Sequence, residues 1–208
     1  MKEIILIGGG GHCAACLDVL GAAGQYRPAA IVDRPEALGR ELCGHKITAT
    51  DHDLPKLVAR FAFALICLGQ IKSAAPRRAI YQRLKELGAK LPVHISPLAY
   101  VSAHSYLNEG SIVMHQALVN ARAQVGANAI INTRALLEHD VTVEPHCHIS
   151  TGALLNGNCY IETGCFVGSG AVLREGIRIG AESVIGCGAV VLADVPPGSR
   201  VVGVWKGR

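Results

Sequence analysis

The sequence predicts two unlike domains: an α/β, Rossmann-like N-terminal domain in residues 1–98 and a left-handed parallel β-helix of hexapeptide repeats in residues 99–194, followed by a tail, 195–208. Three observations predict this. Residues 99–194 divide into sixteen hexads without a gap, and the third residue of every hexad is Val, Leu or Ile. A short apolar strand at the start runs straight into four consecutive glycines, Gly8–Gly11. Half of the 208 residues are hydrophobic but only 4% are aromatic, so the cores are filled by Ala, Val, Ile and Leu, and 24 glycines supply many turns.

In the N-terminal domain, Lys2–Ile7 is the first strand; the glycines and His12 follow, then a helix from about Cys13 to Ala23. A second strand, Ala29–Val32, ends at Asp33, and a third, Ala62–Leu68, ends at Gly69. Pro76 opens a helix with Ile80, Leu84 and Leu87 on one face. A last strand, Leu91–Ile95, leads through Pro97 into the repeats. Strand, glycine loop, helix and a strand ending in Asp make half of a Rossmann unit. The loop sets backbone N–H groups and a helix N-terminus where an anion binds. The dinucleotide fingerprint is incomplete: Gly8 and Gly10 fit it, but Cys13 stands at the third glycine. The half-unit therefore suits a single nucleotide or a nucleotide sugar, with a purely structural turn as the alternative.

The hexads fix the second architecture. Each unit makes one short strand and one turn. The aliphatic third residue, from Val101 to Val191, points inward; the first residue is Ala, Ser or Cys except at Val141 and Ile177, and lets the chain close at a corner. Asn108, Gly110, Asn128, Gly152, Asn158, Gly164 and Gly170 suit turns that need positive φ. Three hexads complete one triangular coil of eighteen residues, giving about five coils, with the N-terminal domain and the tail as caps. Cys147, Cys159 and Cys165 occupy the small first position and read as packing residues.

Cys13-x-x-Cys16 has the spacing of a redox motif but lies on a helix after a glycine loop, where both read as small helix residues; no second CxxC completes a zinc site. The eight cysteines are expected to be free thiols. The opening residues lack the apolar run and cleavage site of a signal peptide, and no segment reaches the roughly 20 apolar residues of a membrane span, so the expected location is cytoplasmic. The net charge is +4, with +5 in residues 1–98 and −1 beyond. This is too little for a nucleic-acid stripe and fits a domain that receives an anionic small molecule.

One constellation carries chemistry. In Glu138-His139-Asp140, a histidine between two carboxylates at a coil corner can act as a general base, because an adjacent carboxylate holds one tautomer and raises basicity; a solvated surface histidine is the alternative. One coil later stands Gly157, whose bare backbone leaves an N–H open as an oxyanion donor. His148 adds a second outward polar group. A six-residue side, at most about 20 Å, separates it from His139, so a site shared between neighbouring subunits is expected.

Several stretches resemble the sugar acyltransferase family that includes the bacillosamine and perosamine N-acetyltransferases and the sialic acid O-acetyltransferases. They are the opening IILIGGGGH, the IVD at the second strand end, ICLG, RRAIYQRLKELG and LLEHDVTVEPHCHISTGALLNGN. The resemblance implies a homotrimer and acetyl-CoA as co-substrate, with no metal. It implies N-acetylation of a nucleotide-linked amino sugar, of the 4-amino-4,6-dideoxy type, for bacterial surface glycans. His139 would be the base, with Asp140 tuning it, and His148 and Gly157 at the acetyl group. Ser169 and Cys187 align with backbone contacts to CoA, and Gly10, Gly11, His12, Asp33 and Gly69 with contacts to the nucleotide sugar. Arg34 joins them, standing where some nucleotide-sugar acetyltransferases carry a second acid. The tail departs from the family, reading Val204-Trp205-Lys206 where Pro-Ala is usual.

O-acetylation of a sialic-acid-type sugar would use the same machinery, although free sialic acid needs no nucleotide cradle. Two readings of other classes remain: a zinc hydratase on a β-helix using His139, His146 and His148, and a non-catalytic nucleotide sensor.

Overall fold

The computed structural model describes residues 1–207. Strand β1 (Lys2–Ile7) is an unbroken apolar run with Ile4, Ile5 and Leu6 fully buried, as a parallel strand covered on both faces requires. It lies between β2 (Tyr26–Val32) and a later strand, Phe63–Ile66, both parallel to it. Helix α1 (Gly11–Ala23) ends at Gly24, whose left-handed conformation (φ 66°) lets its N–H reach the Leu20 carbonyl.

Between β2 and Phe63–Ile66 the chain makes a hairpin and a helix that periodicity does not reveal. Strands β3 (Glu41–Leu42) and β4 (His45–Ala49) pair antiparallel, and β4 then joins β2 in parallel. Thr50 and Asp53 form a capping box ahead of α2 (Leu54–Phe61). With Phe63–Ile66 as β5, the sheet order is β3-β4-β2-β1-β5. Helix α3 (Ala75–Glu86) and α2 cover one face of the sheet through Leu54, Val58 and Leu84. Helix α1 covers the other and is itself packed against Ile112, Met114 and Ile130 of the β-helix.

The proposed last strand of this domain, Leu91–Ile95, is not one strand. Lys90 makes a single bridge to Phe63, and His94–Ile95 pairs instead with Ile112–Val113 as the first strand of the β-helix. Pro92 lies between the two and has no N–H to give to a ladder. The tail also does more than cap: Arg200–Val201 and Val204–Trp205 pair with the coil, and the Trp205 indole donates to the Asp194 carbonyl at 3.0 Å.

The repeat builds a three-sided prism whose strands pair eighteen residues apart, as Leu118 with Leu136, Gln124 with Thr142 and Ile130 with His148. From Val113 to Val191 the third-position residues are at most 1% exposed. Cys147, Cys159 and Cys165 point inward, and their thiols donate to backbone carbonyls. The left-handed turn residue is the sixth of the hexad, as at Arg122, Asp140 and Asn158. Asn108, expected among these, instead accepts the Glu109 N–H at 2.8 Å.

The three sides differ in what their outward residues meet. Face 1, from Tyr100–Val101 to Val204–Trp205, presents Tyr100, Leu118, Leu136, Leu154, Val172, Val190 and Val204, every one apolar. Face 2, from Tyr106–Leu107 to Arg178–Ile179, presents Tyr106, Gln124, Thr142, Tyr160 and Arg178. Face 3, from His94–Ile95 to Arg200–Val201, presents Ile112, Ile130, His148 and Phe166, all buried, with the N-terminal domain seated over them. Among the described residues, no helix is long and apolar enough to cross a membrane.

Candidate functional site

His139 sits at the corner between faces 1 and 2. Its Nδ1 lies 2.9 Å from Asp140 Oδ2, and the ring remains about half exposed. An ionised carboxylate only accepts, so in the neutral ring Nδ1 carries the proton and Nε2 the lone pair. Arg122, and after it His139, hold the Asp140 carboxyl down at about 2, so it is ionised near neutral pH. Glu138 does not share this task. Its Oε2 accepts from Asn120 Nδ2 at 2.9 Å and from the His139 backbone N–H, not from the ring.

One coil on, Gly157 lies under the imidazole. A β-carbon there would stand 2.7 Å from His139 Nε2 and 2.6 Å from Cε1. Among the described residues, the Gly157 N–H donates no hydrogen bond, whereas the matching His139 and Ala121 N–H groups are taken by the side chains of Glu138 and Asn120. An acceptor-free N–H and a lone-pair nitrogen therefore share one corner.

His148 is elsewhere. It stands on face 3, across the prism from the His139 corner, and is 6% exposed under the N-terminal domain. Its Nδ1–H donates to the Gln70 carbonyl at 2.7 Å, its Nε2 accepts from Asn132 Nδ2 at 3.0 Å, and burial pushes its pKa down to about 4. It is a neutral imidazole with both nitrogens engaged within the chain. Beside it opens a cavity of about 650 Å³ lined by His12, Gly69, Gln70, Asn132, Thr133 and Thr151, among others. Among the described residues, His12 Nε2 and Gln70 Oε1 have no hydrogen-bond partner there.

The corner between faces 3 and 1 continues from that cavity as a column of residues eighteen apart, Thr133, Thr151, Ser169 and Cys187. Ser169 Oγ lies 3.0 Å from Ser150 Oγ, and Cys187 is exposed.

The glycine loop divides its work. Gly8 (φ 101°) and Gly9 serve the fold: a β-carbon would strike Leu68 at the first and Ile47 and Asp33 at the second. At Gly10 and Gly11, at the N-terminus of α1, an added β-carbon would meet nothing within 4 Å among the described residues, so both leave open space. Asp33 Oδ2 accepts the Gly9 N–H and Oδ1 the Arg34 N–H, each at 2.7 Å. Asp33 and Arg34 line a separate cleft of about 160 Å³ at the carboxyl ends of β1 and β2, the usual place for a ligand on an open parallel sheet. The Arg40 guanidinium grips the Gly9 carbonyl.

Apart from Gly10 and Gly11 at the start of α1, the residues predicted from sequence thus fall into three places within one chain: the His139 corner, the His148 cavity with its adjoining column, and the Asp33 cleft. Sequence reasoning missed Arg122, although it precedes Asp140 by one coil length. Gln70 carried no sequence signal, since it meets His148 only where the two domains close, and Asn132 lies sixteen residues before His148, off the eighteen-residue column. His146 lies at a third corner, bonded to Asn128 Nδ2, apart from both His139 and His148. Among the described residues, no group of three or more His, Cys, Asp or Glu is arranged to hold a metal ion.

Comparison with known proteins bears on what such a corner does. The model of the PglD N-terminal domain matches residues 3–84, and that of the bacterial transferase hexapeptide (six repeats) matches 158–193. The acetyltransferase domain of PglB from Neisseria gonorrhoeae FA1090 is 31% identical with a TM-score of 0.89, the match covering 98% of this chain and 97% of that one. A structure of the same domain holds acetyl coenzyme A. A histidine-to-alanine variant of GDP-perosamine N-acetyl transferase from Caulobacter crescentus, in complex with CoA and GDP-perosamine, is 30% identical with a TM-score of 0.90 over 98% of this chain and 94% of that one. WeeI from Acinetobacter baumannii AYE shares the fold at 22% identity and a TM-score of 0.86, over 98% of this chain and 97% of that one. A comparison with curated protein sequences returned no significant match.

Proposed function

This chain belongs to the hexapeptide-repeat sugar acyltransferases, the family of the perosamine N-acetyltransferases and PglD-like proteins, and from that premise we propose that it N-acetylates a nucleotide-linked amino sugar with His139 as general base. It is a sugar acetyltransferase that uses acetyl-CoA. The observation that carries the finer reading is the pairing of a free Nε2 on His139 with a free N–H on Gly157, one coil apart. Acetyl-CoA, when bound, supplies the acetyl group as an activated thioester. His139 Nε2 takes the proton of the attacking amine, with Asp140 stabilising the imidazolium that forms. The Gly157 N–H donates to the carbonyl oxygen as it gains charge. The C–N bond forms, the C–S bond breaks, and His139 returns its proton to the departing thiolate.

A homotrimer packed through face 1 fits this chemistry. Face 1 is an apolar stripe of seven residues, with Tyr100, Leu154 and Val204 59%, 38% and 60% exposed. It lies between the His139 corner and the Thr151–Ser169–Cys187 corner. Three-fold packing on that face brings the first corner of one subunit against the second corner of its neighbour. His139 and Gly157 would then face the cavity holding His12, Gly69 and His148, with Ser169 and Cys187 offering backbone groups to CoA. The Asp33 cleft would take the nucleotide, and Gly10 and Gly11 the diphosphate.

The test is release of CoA from acetyl-CoA on UDP-, GDP- and TDP-linked amino-dideoxy sugars and on free sialic acid. Turnover on a nucleotide-linked amino sugar is expected, falling at least about 10²-fold in His139→Ala. Turnover on sialic acid alone, or near wild-type turnover without His139, would overturn the reading.

A further inference from the structure

We infer that Arg122 is a positioning residue for this reaction, holding Asp140 in a fixed orientation and, through it, the tautomer and direction of His139. The inference rests on the reading of His139 as general base. Arg122 and Asp140 are the left-handed sixth residues of successive coils at one corner (φ 60° and 62°), so the backbone projects their side chains from the same place in neighbouring layers. The guanidinium closes a two-point fork: Nε donates to Oδ1 and Nη2 to Oδ2, each at 2.7 Å. His139 Nδ1 donates to that same Oδ2.

A carboxylate held only by one imidazole turns freely about its terminal torsion. Two bonds from a planar fork remove that freedom, which a single ammonium point charge does less well. Oδ2 is thereby aimed at Nδ1, the proton stays on Nδ1, and Nε2 stays over Gly157. The cation also keeps Asp140 ionised, so that it never competes for that proton.

A structural role explains the pair poorly. Arg122 is 74% exposed, and exposed ion pairs add little to stability. Nor does the prism need an arginine fork at a corner. Arg134 holds the same left-handed position at the corner between faces 3 and 1, with Gly152 one coil on, and among the described residues it forms no ion pair. The fork is found where a carboxylate orients a histidine.

The experiment is a double-mutant cycle on the full-length protein, with kcat, both KM values and thermal midpoints measured for Arg122→Gln, Arg122→Lys, Asp140→Asn and the Arg122→Gln/Asp140→Asn pair. Misorientation of a catalytic group typically costs roughly 10- to 100-fold. Arg122→Gln is expected to lower kcat by at least about ten-fold, with both KM values within about two-fold. The lysine variant should recover part of the loss. In the Asp140→Asn background the Arg122 substitution should have no further effect, because the group it acts through is gone. Turnover of Arg122→Gln within about two-fold of wild type, while His139→Ala is inactive, overturns the inference and leaves the base assignment standing. A full additional loss in the Asp140→Asn background also overturns it. An active His139→Ala protein removes the base assignment itself.

Discussion

The imidazole of His139 lies so close over the backbone of Gly157 that a β-carbon at 157 would come within 2.6 Å of the ring. The glycine is there because of the histidine, since Gly157 is not among the left-handed residues that favour glycine. Gly157→Ala must push the ring off its present position and separate Nε2 from the free N–H. Turnover is expected to fall at least about 10²-fold, as on loss of one oxyanion donor. Removing the ring should relieve the clash. The thermal midpoint lost in Gly157→Ala should therefore return in the Gly157→Ala/His139→Ala double variant. Equal destabilisation in both backgrounds would show that the glycine serves something other than the imidazole.

Two buried histidines give a pH dependence of stability with a defined sign. Burial pushes His94 and His148 each to about 4, from an ordinary 6.5. Between those values the unfolded chain binds protons that the folded chain excludes. Stability is thus full above about pH 6.5, falls as the pH drops toward 4, and levels off below for these two groups. Each contributes a slope of up to about 1.4 kcal/mol per pH unit. His146, also lowered to about 4 but only partly buried, adds to the same window. Asp140, held at about 2, acts in a separate window below its ordinary 3.8. Thermal midpoints from pH 7.5 down to 4.5 should decline, and His94→Gln should flatten the decline. An unchanged slope in that variant would count against the assignment.

Asp33 combines two duties. Its carboxylate ties the Gly9 N–H and its own neighbour's N–H, fixing the loop, and it faces the small cleft. Hydrogen bonds to a charged group contribute about 1.5–3 kcal/mol, so Asp33→Ala is expected to weaken sugar-nucleotide binding by roughly ten-fold or more. Acetyl-CoA binding should stay within about two-fold, because Asp33 lies in the cleft of the N-terminal sheet, away from the β-helix corners. Calorimetry showing equal weakening of both ligands would refute this division of labour.

The difference between what was legible and what was not follows from the range of the interactions. The hexads could be read because each third residue is buried by the same residue type one coil away, a constraint that repeats. Val101 and Leu107 obey the pattern yet stay partly exposed, because they lie in the first coil. The corner of His139, Asp140 and Gly157 follows the same eighteen-residue rule, and Arg122 could have been found by applying it once more. Strand β4 could not, since only Ile47 and Ala49 of its five residues are buried, among polar neighbours. The bond from His148 to Gln70 joins residues 78 positions apart across a domain boundary, and no periodicity encodes it.

Subunit sharing gives the last prediction. Within one chain, His139 lies at the corner of faces 1 and 2, and His148 on face 3, buried beneath Gln70 and Phe166. The prism core stands between them, so no thioester can touch the His139 ring and the His148 cavity of the same subunit. The proposed packing of the apolar face 1 around a three-fold axis would bring the two together from different chains. His148→Ala should disable the cavity, because the ring buttresses the Gln70 backbone and Asn132 there. His139→Ala should disable the base. When the two inactive variants are dissociated, mixed in equal amounts and reassembled, random assortment gives roughly a quarter of the clefts an intact His139 from one chain and an intact His148 from its neighbour. Activity should return to about that fraction of wild type. If mixing is verified by mass and activity does not rise, the two histidines do not meet across an interface. If His148→Ala alone is fully active, the pairing fails before any mixing, and the cavity serves the fold rather than the reaction.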